Sequence, residues 1–191
     1  MAGDVILARH GEPALSRRVT LTAAGYRLWW TRYEDGGLKP GQTPPDGLVA
    51  MAAAAGTVFC STRERSVESA EAITRGRPFI RDPLFIEAPL PSPPAPSWFR
   101  LSPRWWGVVS RFWWQVFDYH DGQESHAQAR DRAALAARAL IDRAAGGQDV
   151  VLIAHGYFNF MIGQALTAQG WRRTLNQGFR YWSVRRFEAP R

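Results

Sequence analysis

The feature that most constrains the fold is the recurrence of short apolar runs, each followed by a polar segment rich in chemically active residues. VILA at 5–8 and VVLIA at 150–154 are typical of strands buried on both faces of a parallel sheet, and TVFC at 57–60 is a third candidate. Strands that alternate with helices predict an α/β three-layer sandwich, with a mostly parallel central sheet and helices on both faces. In such folds ligands bind beyond the carboxyl ends of the strands.

Two helices have boundaries that the sequence indicates. Four aromatic residues recur at i, i+3, i+4 and i+7 and are interpreted as core: Tyr26, Trp29, Trp30 and Tyr33. This helix follows a candidate N-cap at Thr22 and ends at Gly36. A longer helix is predicted over 126–145, because Ser125 and Gln128 form a capping-box pattern at its start.

The segment 89–123 departs from the alternation of strands and helices. It opens with PLPSPPAP, which enforces an extended path, and continues into a tract with five tryptophans: Trp98, Trp105, Trp106, Trp113 and Trp114. We interpret it as an insert or lid within a single domain over 1–191. Its tryptophans are expected to pack in the core or to line a pocket, and contact with a membrane surface is the alternative.

Charge and cysteine content narrow the possible partners. The net charge of +7 suits an anionic partner, but only Lys39 is a lysine and the arginines are scattered, so we expect no nucleic-acid binding. The single cysteine, Cys60, excludes an intramolecular disulfide and a cysteine-based zinc cluster.

No apolar run suits a secretory signal or a spanning helix, so a cytoplasmic protein without stable membrane insertion is expected. The oligomeric state is left open.

Candidate catalytic residues follow each predicted strand. RHGE at 9–12 follows the first, STRER at 61–65 follows the TVFC run, and HG at 155–156 follows VVLIA. Because the carboxyl ends of neighbouring parallel strands lie at one edge of a sheet, we expect His10 and His155 to face one crevice. An arginine in the first turn of a following helix can direct its guanidinium group toward an anion held there.

Together these segments resemble the histidine phosphatase superfamily, also called phosphoglycerate mutase-like. The resemblance rests on RHGE at 9–12, STRERSVESAEAI at 61–73, LFIEAPLP at 84–91 and IAHG at 153–156, with QES at 123–125 ahead of the long helix. Their order and spacing also agree with the family, and they cover most of the chain apart from the tryptophan-rich tract.

The resemblance implies a role for each of five residues. His10 would be the nucleophile, Arg9, Arg65 and His155 would bind the phosphate, and Glu87 would be the proton donor. The chemistry of a phosphomonoester agrees with these roles, since a neutral imidazole can attack the dianion while two guanidinium groups and a protonated second imidazole meet its charge. A carboxylic acid can protonate the leaving alkoxide. We therefore expect neither a metal ion nor a cofactor.

The sequence departs from the family pattern after RHGE. Pro13 follows directly, and Ser16 stands near the position of a family asparagine that touches the phosphate, so we expect the Ser16 hydroxyl to donate a hydrogen bond to it. Glu12 is expected to orient the loop or the substrate. A group of acidic and histidine residues offers an alternative metal site, disfavoured because its spacing fixes no geometry: Asp118, His120, Asp121, Glu124 and His126.

The function predicted from these observations is hydrolysis of a small phosphorylated substrate by a metal-independent phosphomonoesterase through a phosphohistidine at His10. One alternative is a phosphotransferase of the phosphoglycerate mutase type, which is disfavoured by the length of the chain and by the proline after the acidic segment. Another is a non-catalytic protein of the same fold that binds a phosphorylated ligand or a membrane surface. The identity of the substrate is not predicted.

Overall fold

A six-stranded sheet with helices on both faces forms the centre of the computed structural model, which describes residues 2–190. In chain order the elements are β1 Val5–Arg9, α1 Ala23–Asp35, α2 Asp46–Ala54, β2 Thr57–Cys60, α3 Glu64–Thr74, β3 Ile80–Arg81, α4 Pro103–Phe117, α5 His126–Ala144, β4 Val150–Ala154, α6 Gly156–Ala168, β5 Arg172–Asn176 and β6 Val184–Glu188. The strand order is β3-β2-β4-β1-β6-β5. The pairings among β3, β2, β4 and β1 are parallel, and those of β6 with β1 and β5 are antiparallel.

The two faces of the sheet are covered by different helices. On one face Val5, Leu7 and Leu152 belong to a core with α5 and α6. On the other face Ile6 and Ile153 belong to a core with α2 and α3. Since successive side chains of a strand point to opposite faces, a strand covered on both sides is apolar at every position. The predicted three-layer α/β sandwich is therefore confirmed, and the continuous apolar runs are its central strands.

The predicted helix boundaries are also confirmed. Helix α1 begins after Thr22, whose hydroxyl accepts a hydrogen bond from the Gly25 N–H at 3.1 Å, and it ends before Gly36. At the start of α5, the Gln128 N–H donates to Ser125 Oγ at 3.2 Å and the Ser125 N–H donates to Gln128 Oε1 at 2.8 Å. Both helices begin where a side chain accepts a hydrogen bond from a backbone N–H of the first turn, because these N–H groups have no partner within the helix.

Helices α1 and α4 pack on each other, and α4 also places Trp114 in the core that α5 and α6 form with the sheet. Together with the extended segment 89–102 that leads into α4, helices α1 and α4 form a layer that we call the aromatic cap. Its interior contains Tyr26, Trp29, Tyr33 and Trp106, and the rings of Tyr26 and Trp106 are stacked with centroids 5.9 Å apart. The Trp106 indole N–H donates to the Leu21 carbonyl at 2.7 Å. The aromatic residues of α1 are thus core residues as predicted, but the core to which they belong is that of the aromatic cap.

The five tryptophans of the tract divide into two groups. Trp106 and Trp114 are fully buried, in agreement with the expectation that they pack in the core. Trp98, Trp105 and Trp113 are exposed, which corrects that expectation for them. The reason is geometric, because α4 has the rest of the protein on one side only, and Trp98 precedes the helix in the extended segment. No helix within residues 2–190 is long and apolar enough to span a bilayer.

Candidate active site

Two histidines lie side by side at the carboxyl edge of the sheet. Strands β1 and β4 are parallel neighbours with Arg9 paired to Ala154, so the residues that follow them, His10 and His155, occupy equivalent positions. The His10 N–H donates to the Ala154 carbonyl at 3.0 Å. The ring centroids of the two histidines are 5.2 Å apart at an interplanar angle of 65°. Both side chains are buried, and the topology of the sheet therefore brings them into contact as the sequence predicts.

Arg65 joins the two imidazoles. It lies in the first turn of α3 and is completely buried, with Nε donating to His10 Nε2 at 3.3 Å and Nη2 lying 3.3 Å from His155 Nδ1. The other side of the guanidinium group is held by the last turn of α1, where Nη1 donates to the Tyr33 carbonyl at 2.9 Å and Nη2 to Glu34 Oε1 at 2.7 Å. A cation suits this position, since the last carbonyls of a helix carry partial negative charge.

These contacts define which nitrogen of each imidazole carries the proton. His10 Nδ1 lies 2.7 Å from the Gly11 carbonyl, which only accepts, so Nδ1 is protonated and Nε2 presents a lone pair. His155 Nδ1 faces a guanidinium N–H and is the acceptor, so its Nε2 donates to Ser61 Oγ at 2.9 Å. Both rings are thereby neutral, and the one unprotonated nitrogen of His10 points toward Arg65.

The electrostatic surroundings favour the neutral rings. Burial lowers the pKa of His10 well below 6.5, and the charges of Arg65 and Arg9 lower it further. Burial likewise lowers the pKa of His155, with Arg65 and His10 acting in the same direction. The role expected of His155 uses its protonated form, whereas burial and the neighbouring positive charge of Arg65 favour the neutral form. A neutral His10 retains the lone pair that a nucleophile needs.

Arg9 and Arg17 supply further cationic groups beside His10. The Arg9 guanidinium lies 4.4 Å from the centre of the Tyr181 ring, and it also donates to the Phe179 carbonyl. The buried Nε atoms of Arg9 and Arg17 have no hydrogen-bond partner among residues 2–190. Arg9, Arg17 and Arg65 all border one cavity of about 470 Å³, which we call the catalytic cavity. Its floor is thus rich in guanidinium groups with unused donors.

The aromatic cap forms the walls of the catalytic cavity. Both cap helices contribute lining residues: Tyr26, Trp29, Trp30 and Tyr33 from α1, and Val108, Arg111 and Phe112 from α4. His10 is one of the lining residues, whereas His155 is fully buried and does not line the cavity. The cap therefore determines the shape of the space next to His10.

Glu87 lies on the wall of the same cavity, where the start of α6 orients its carboxyl group. Its Oε1 accepts hydrogen bonds from the Phe158 N–H at 2.8 Å and from the Ala88 N–H at 3.1 Å. Glu87 also borders a second cavity of about 700 Å³, whose lining includes neither active-site histidine. The predicted acid is thus brought to the site of the predicted nucleophile.

Ser16 is not brought into the site. Its side chain is exposed, and its hydroxyl accepts a hydrogen bond from the Arg18 N–H at 3.1 Å, so the expected contact with phosphate is unsupported. The next residue, Arg17, occupies the cavity instead, with its guanidinium donating to the Tyr33 hydroxyl at 2.6 Å. The backbone conformation of this irregular loop therefore decides which of the two residues faces the cavity.

Glu12 does not line the catalytic cavity. Its N–H donates to Gln42 Oε1 at 2.7 Å, and Gln42 Nε2 donates back to the Glu12 carbonyl at 2.7 Å. The exposed carboxylate lies 3.8 Å from Lys39 Nζ. These contacts agree with the expected role of Glu12 in orienting the loop.

Arg111 is a cavity residue that the sequence analysis did not assign. Its guanidinium group stacks 3.7 Å from the centre of the Tyr157 ring, and its Nη atoms donate to the Ala88 and Pro89 carbonyls at 3.3 Å. Burial lowers its pKa, and the charge of Glu87 opposes that shift. A signal was present in the sequence, because Arg111 is the one charged residue in the aromatic run 105–117.

The alternative metal-binding group is engaged in other contacts. Glu124 forms a two-oxygen ion pair with Arg132, with both N–O distances at 2.7 Å. Asp118 accepts from the His126 N–H at 3.1 Å, where it helps to cap α5. Within residues 2–190 no three histidine, cysteine or acidic side chains converge as metal ligands would.

One protein-family model matches the chain. The sequence model of the histidine phosphatase superfamily (branch 1) matches residues 49–189, a range that includes Arg65, Glu87 and His155 and begins after His10. No curated protein sequence matches the chain.

Several solved structures have the same fold. Mycobacterial glucosyl-3-phosphoglycerate phosphatase in complex with VO₃ is 16% identical, over 97% of this chain and 92% of that one, with a TM-score of 0.59. An open reading frame product of Mycobacterium tuberculosis is 18% identical, over 98% and 96%, with a TM-score of 0.57. A mutant phosphoserine phosphatase of Entamoeba histolytica in complex with phosphoserine is 14% identical, over 87% and 80%, with a TM-score of 0.55. At these identities the similarity is one of fold.

Proposed function

We propose that this chain, which belongs to branch 1 of the histidine phosphatase superfamily, is a metal-independent phosphomonoesterase with His10 as its nucleophile. The observation that carries the proposal is the orientation of the His10 ring. The Gly11 carbonyl holds the proton on Nδ1, so Nε2 presents its lone pair on the floor of a cavity bordered by Arg9 and Arg65. A nucleophile without charge next to fixed cations is what attack on a phosphate dianion requires.

In the proposed first step the phosphoryl group takes the place of the present contact between His10 Nε2 and Arg65 Nε. The Nε2 lone pair forms a bond to phosphorus, and the bond from phosphorus to the leaving oxygen breaks with its electron pair on that oxygen. The guanidinium groups of Arg9 and Arg65 neutralise the non-bridging oxygens, and the bound dianion supplies the charge that allows His155 to take up a proton. No metal ion is needed to meet the charge.

Glu87 completes the cycle. Its protonated form gives a proton to the leaving oxygen, and the resulting carboxylate then takes a proton from the water that attacks the phosphohistidine. This second step releases inorganic phosphate and restores neutral His10. Support comes from the position of Glu87 on the wall of the same cavity and from its fixed orientation at the start of α6.

For the substrate, we propose a phosphomonoester whose phosphate reaches the floor of the catalytic cavity. The solved structures with this fold include complexes with phosphoserine and with 3-phosphoglyceric acid, both small phosphate esters. A volume of about 470 Å³ lies in the range of cavities that hold small molecules.

The test is a comparison of His10→Ala with His120→Ala. His120 lies outside the catalytic cavity, so its variant controls for the loss of a histidine. We expect His10→Ala to lower the hydrolysis of para-nitrophenyl phosphate by at least about a thousandfold, because the covalent route is lost. His120→Ala and treatment with a metal chelator should leave the rate unchanged.

Two further readouts address the intermediate and the product. Rapid quenching of the wild-type reaction at neutral or alkaline pH should trap one phosphoryl group on the peptide that contains His10. Release of inorganic phosphate to water, rather than its transfer to an added hydroxyl compound, separates a phosphatase from a mutase. Substantial activity in His10→Ala would overturn the proposal.

A further inference from the structure

One side of α4 is apolar and has no partner within residues 2–190. Six of the twelve exposed large apolar side chains of that part of the chain lie on this helix. We call them the α4 face: Trp105, Val108, Phe112, Trp113, Val116 and Phe117. Trp98, which is 76% exposed, precedes the helix. Exposed apolar residues are common as single side chains, but a continuous group of this size marks an interaction surface.

Positive charge flanks the start of the α4 face, and one exposed acidic residue, Asp118, follows its end. From Ala88 to Phe117 the chain contains three arginines and no lysine, aspartate or glutamate. Arg100 and Arg104 are exposed at the start of the helix, whereas Arg111 is turned inward to the catalytic cavity. The whole chain carries a net charge of +7. A partner of this surface therefore has to accept aromatic side chains and to provide negative charge.

We propose that the α4 face docks the protein on the surface of an anionic lipid bilayer. A helix with aromatic residues on one side and arginine beside them lies in the interface between headgroups and acyl chains, where indole rings are favoured. Anionic headgroups supply the negatively charged partners that Arg100 and Arg104 lack in the described part of the chain. A second copy of the chain is a poorer partner, because both copies carry a net charge of +7.

The docking surface is continuous with the catalytic cavity. Val108 and Phe112 belong to the α4 face and also line the cavity, and the exposed Arg104 borders both. Docking through this face brings the mouth of the cavity to the level of the headgroups. The inference for the substrate, which rests on the proposed function, is a phosphomonoester with an apolar tail that stays in the membrane while its phosphate reaches His10.

The docking test measures co-sedimentation with vesicles, using the full chain with His10→Ala so that no substrate is consumed. Vesicles of phosphatidylcholine with about one third phosphatidylserine are compared with vesicles of phosphatidylcholine alone. The test variant combines Trp98→Gln, Trp105→Gln and Phe117→Gln, three exposed positions outside the catalytic cavity. The matched control combines Leu28→Gln and Leu135→Gln, which are 69% and 57% exposed on other helices.

We expect the unmodified face to bind the anionic vesicles and the test variant to bind them at least about tenfold more weakly, since aromatic contact with the lipid is lost. The control should bind as before, and added salt should weaken binding. Failure to bind anionic vesicles, or equal binding by the test variant, overturns the docking proposal. It is also overturned if analytical ultracentrifugation shows a dimer that the same three substitutions dissociate, because the face then binds a second copy.

The substrate inference has a separate readout with His10 intact. We expect phosphatidate in the anionic vesicles to be hydrolysed, and the three substitutions to lower that rate about tenfold in line with docking while leaving the rate on soluble para-nitrophenyl phosphate unchanged. Hydrolysis of the soluble ester without hydrolysis of phosphatidate overturns the inferred substrate class and leaves the phosphatase proposal standing. Vesicle binding without hydrolysis of either ester overturns the phosphatase proposal and leaves docking standing.

Discussion

The guanidinium group of Arg65 contacts the imidazoles of both His10 and His155, although an arginine would repel a protonated, positively charged histidine. The contact is favourable here because both rings are neutral and offer lone pairs to guanidinium N–H donors. On the other side of the guanidinium group, Glu34 Oε1 lies 2.7 Å from Arg65 Nη2 and forms an ion pair with it. The buried cation is thus paired before a ligand arrives, which limits the cost of its burial.

For Glu87, the conservative variant Glu87→Gln separates acid catalysis from structure. An amide oxygen can still accept from the Phe158 N–H, so the start of α6 keeps its partner, but the side chain has no proton to give. We expect kcat/KM for an alkyl phosphate to fall by about 10²- to 10⁴-fold, with a much smaller loss for para-nitrophenyl phosphate, whose leaving group needs no protonation. Steady-state kinetics on both esters measure this, and equal losses would assign the proton donor elsewhere.

The sequence predicts those site residues whose position depends on strand topology. His10 and His155 each follow a buried strand, so pairing of the two strands is enough to bring them together. The positions of Arg17 and Arg111 depend on how the loop after β1 and helix α4 pack. A periodic sequence pattern does not indicate that packing. For the same reason Ser16, and not Arg17, is expected from the sequence to face the ligand. The conformation of an irregular loop is set by contacts with residues distant in sequence.

Among the connecting elements, the loop after β1 requires glycine at position 11. A Cβ atom on Gly11 would lie 2.5 Å from a ring carbon of Trp182 and 2.9 Å from Gln42 Oε1. We expect Gly11→Ala to lower the free energy of unfolding by about 1–3 kcal/mol, as in other overpacked sites. The comparison is Gly47→Ala in α2, where a Cβ meets nothing within 4 Å, and a gain of about 0.5–1 kcal/mol is expected.

Chemical denaturation of both variants checks this prediction. The contact of Trp182 with the loop also predicts that the loss in Gly11→Ala is accompanied by altered tryptophan fluorescence. If the two alanine variants have the same stability, the close approach of the indole ring does not constrain the loop.

The elements that the sequence analysis found are those with strong local patterns. Continuous apolar runs mark β1, β2 and β4, and caps mark α1 and α5. Strand β5, with the sequence RRTLN, is largely exposed at the edge of the sheet and has no such run, so it was missed. The packing of α1 on α4 was missed as well, because an apolar stripe shows that a helix is covered without showing what covers it.

For the whole molecule, the two buried imidazoles make stability depend on pH. Both have a pKa well below 6.5 in the folded chain, while in the unfolded chain histidine titrates near 6.5. Above that pH neither state takes up a proton at these rings. Below it the unfolded chain binds protons that the folded chain excludes, so the free energy of unfolding falls as the pH is lowered.

Guanidinium chloride titrations between about pH 8 and pH 5.5 measure this effect, in a range where most carboxylates stay ionised. The decline is expected to be smaller in His155→Asn, which removes one of the two groups, and to remain in His120→Ala. Identical pH profiles for the wild type and His155→Asn would contradict the burial of a neutral ring at that position.

The last turn of α1 supports Arg65 through two carbonyls and a carboxylate, and the same helix carries four of the rings that line the catalytic cavity. The walls of the cavity and the position of Arg65 therefore depend on the same helix. We expect substitutions that reshape those walls to displace Arg65 as well. Engineering of this cavity then has to preserve the contact of Glu34 with Arg65.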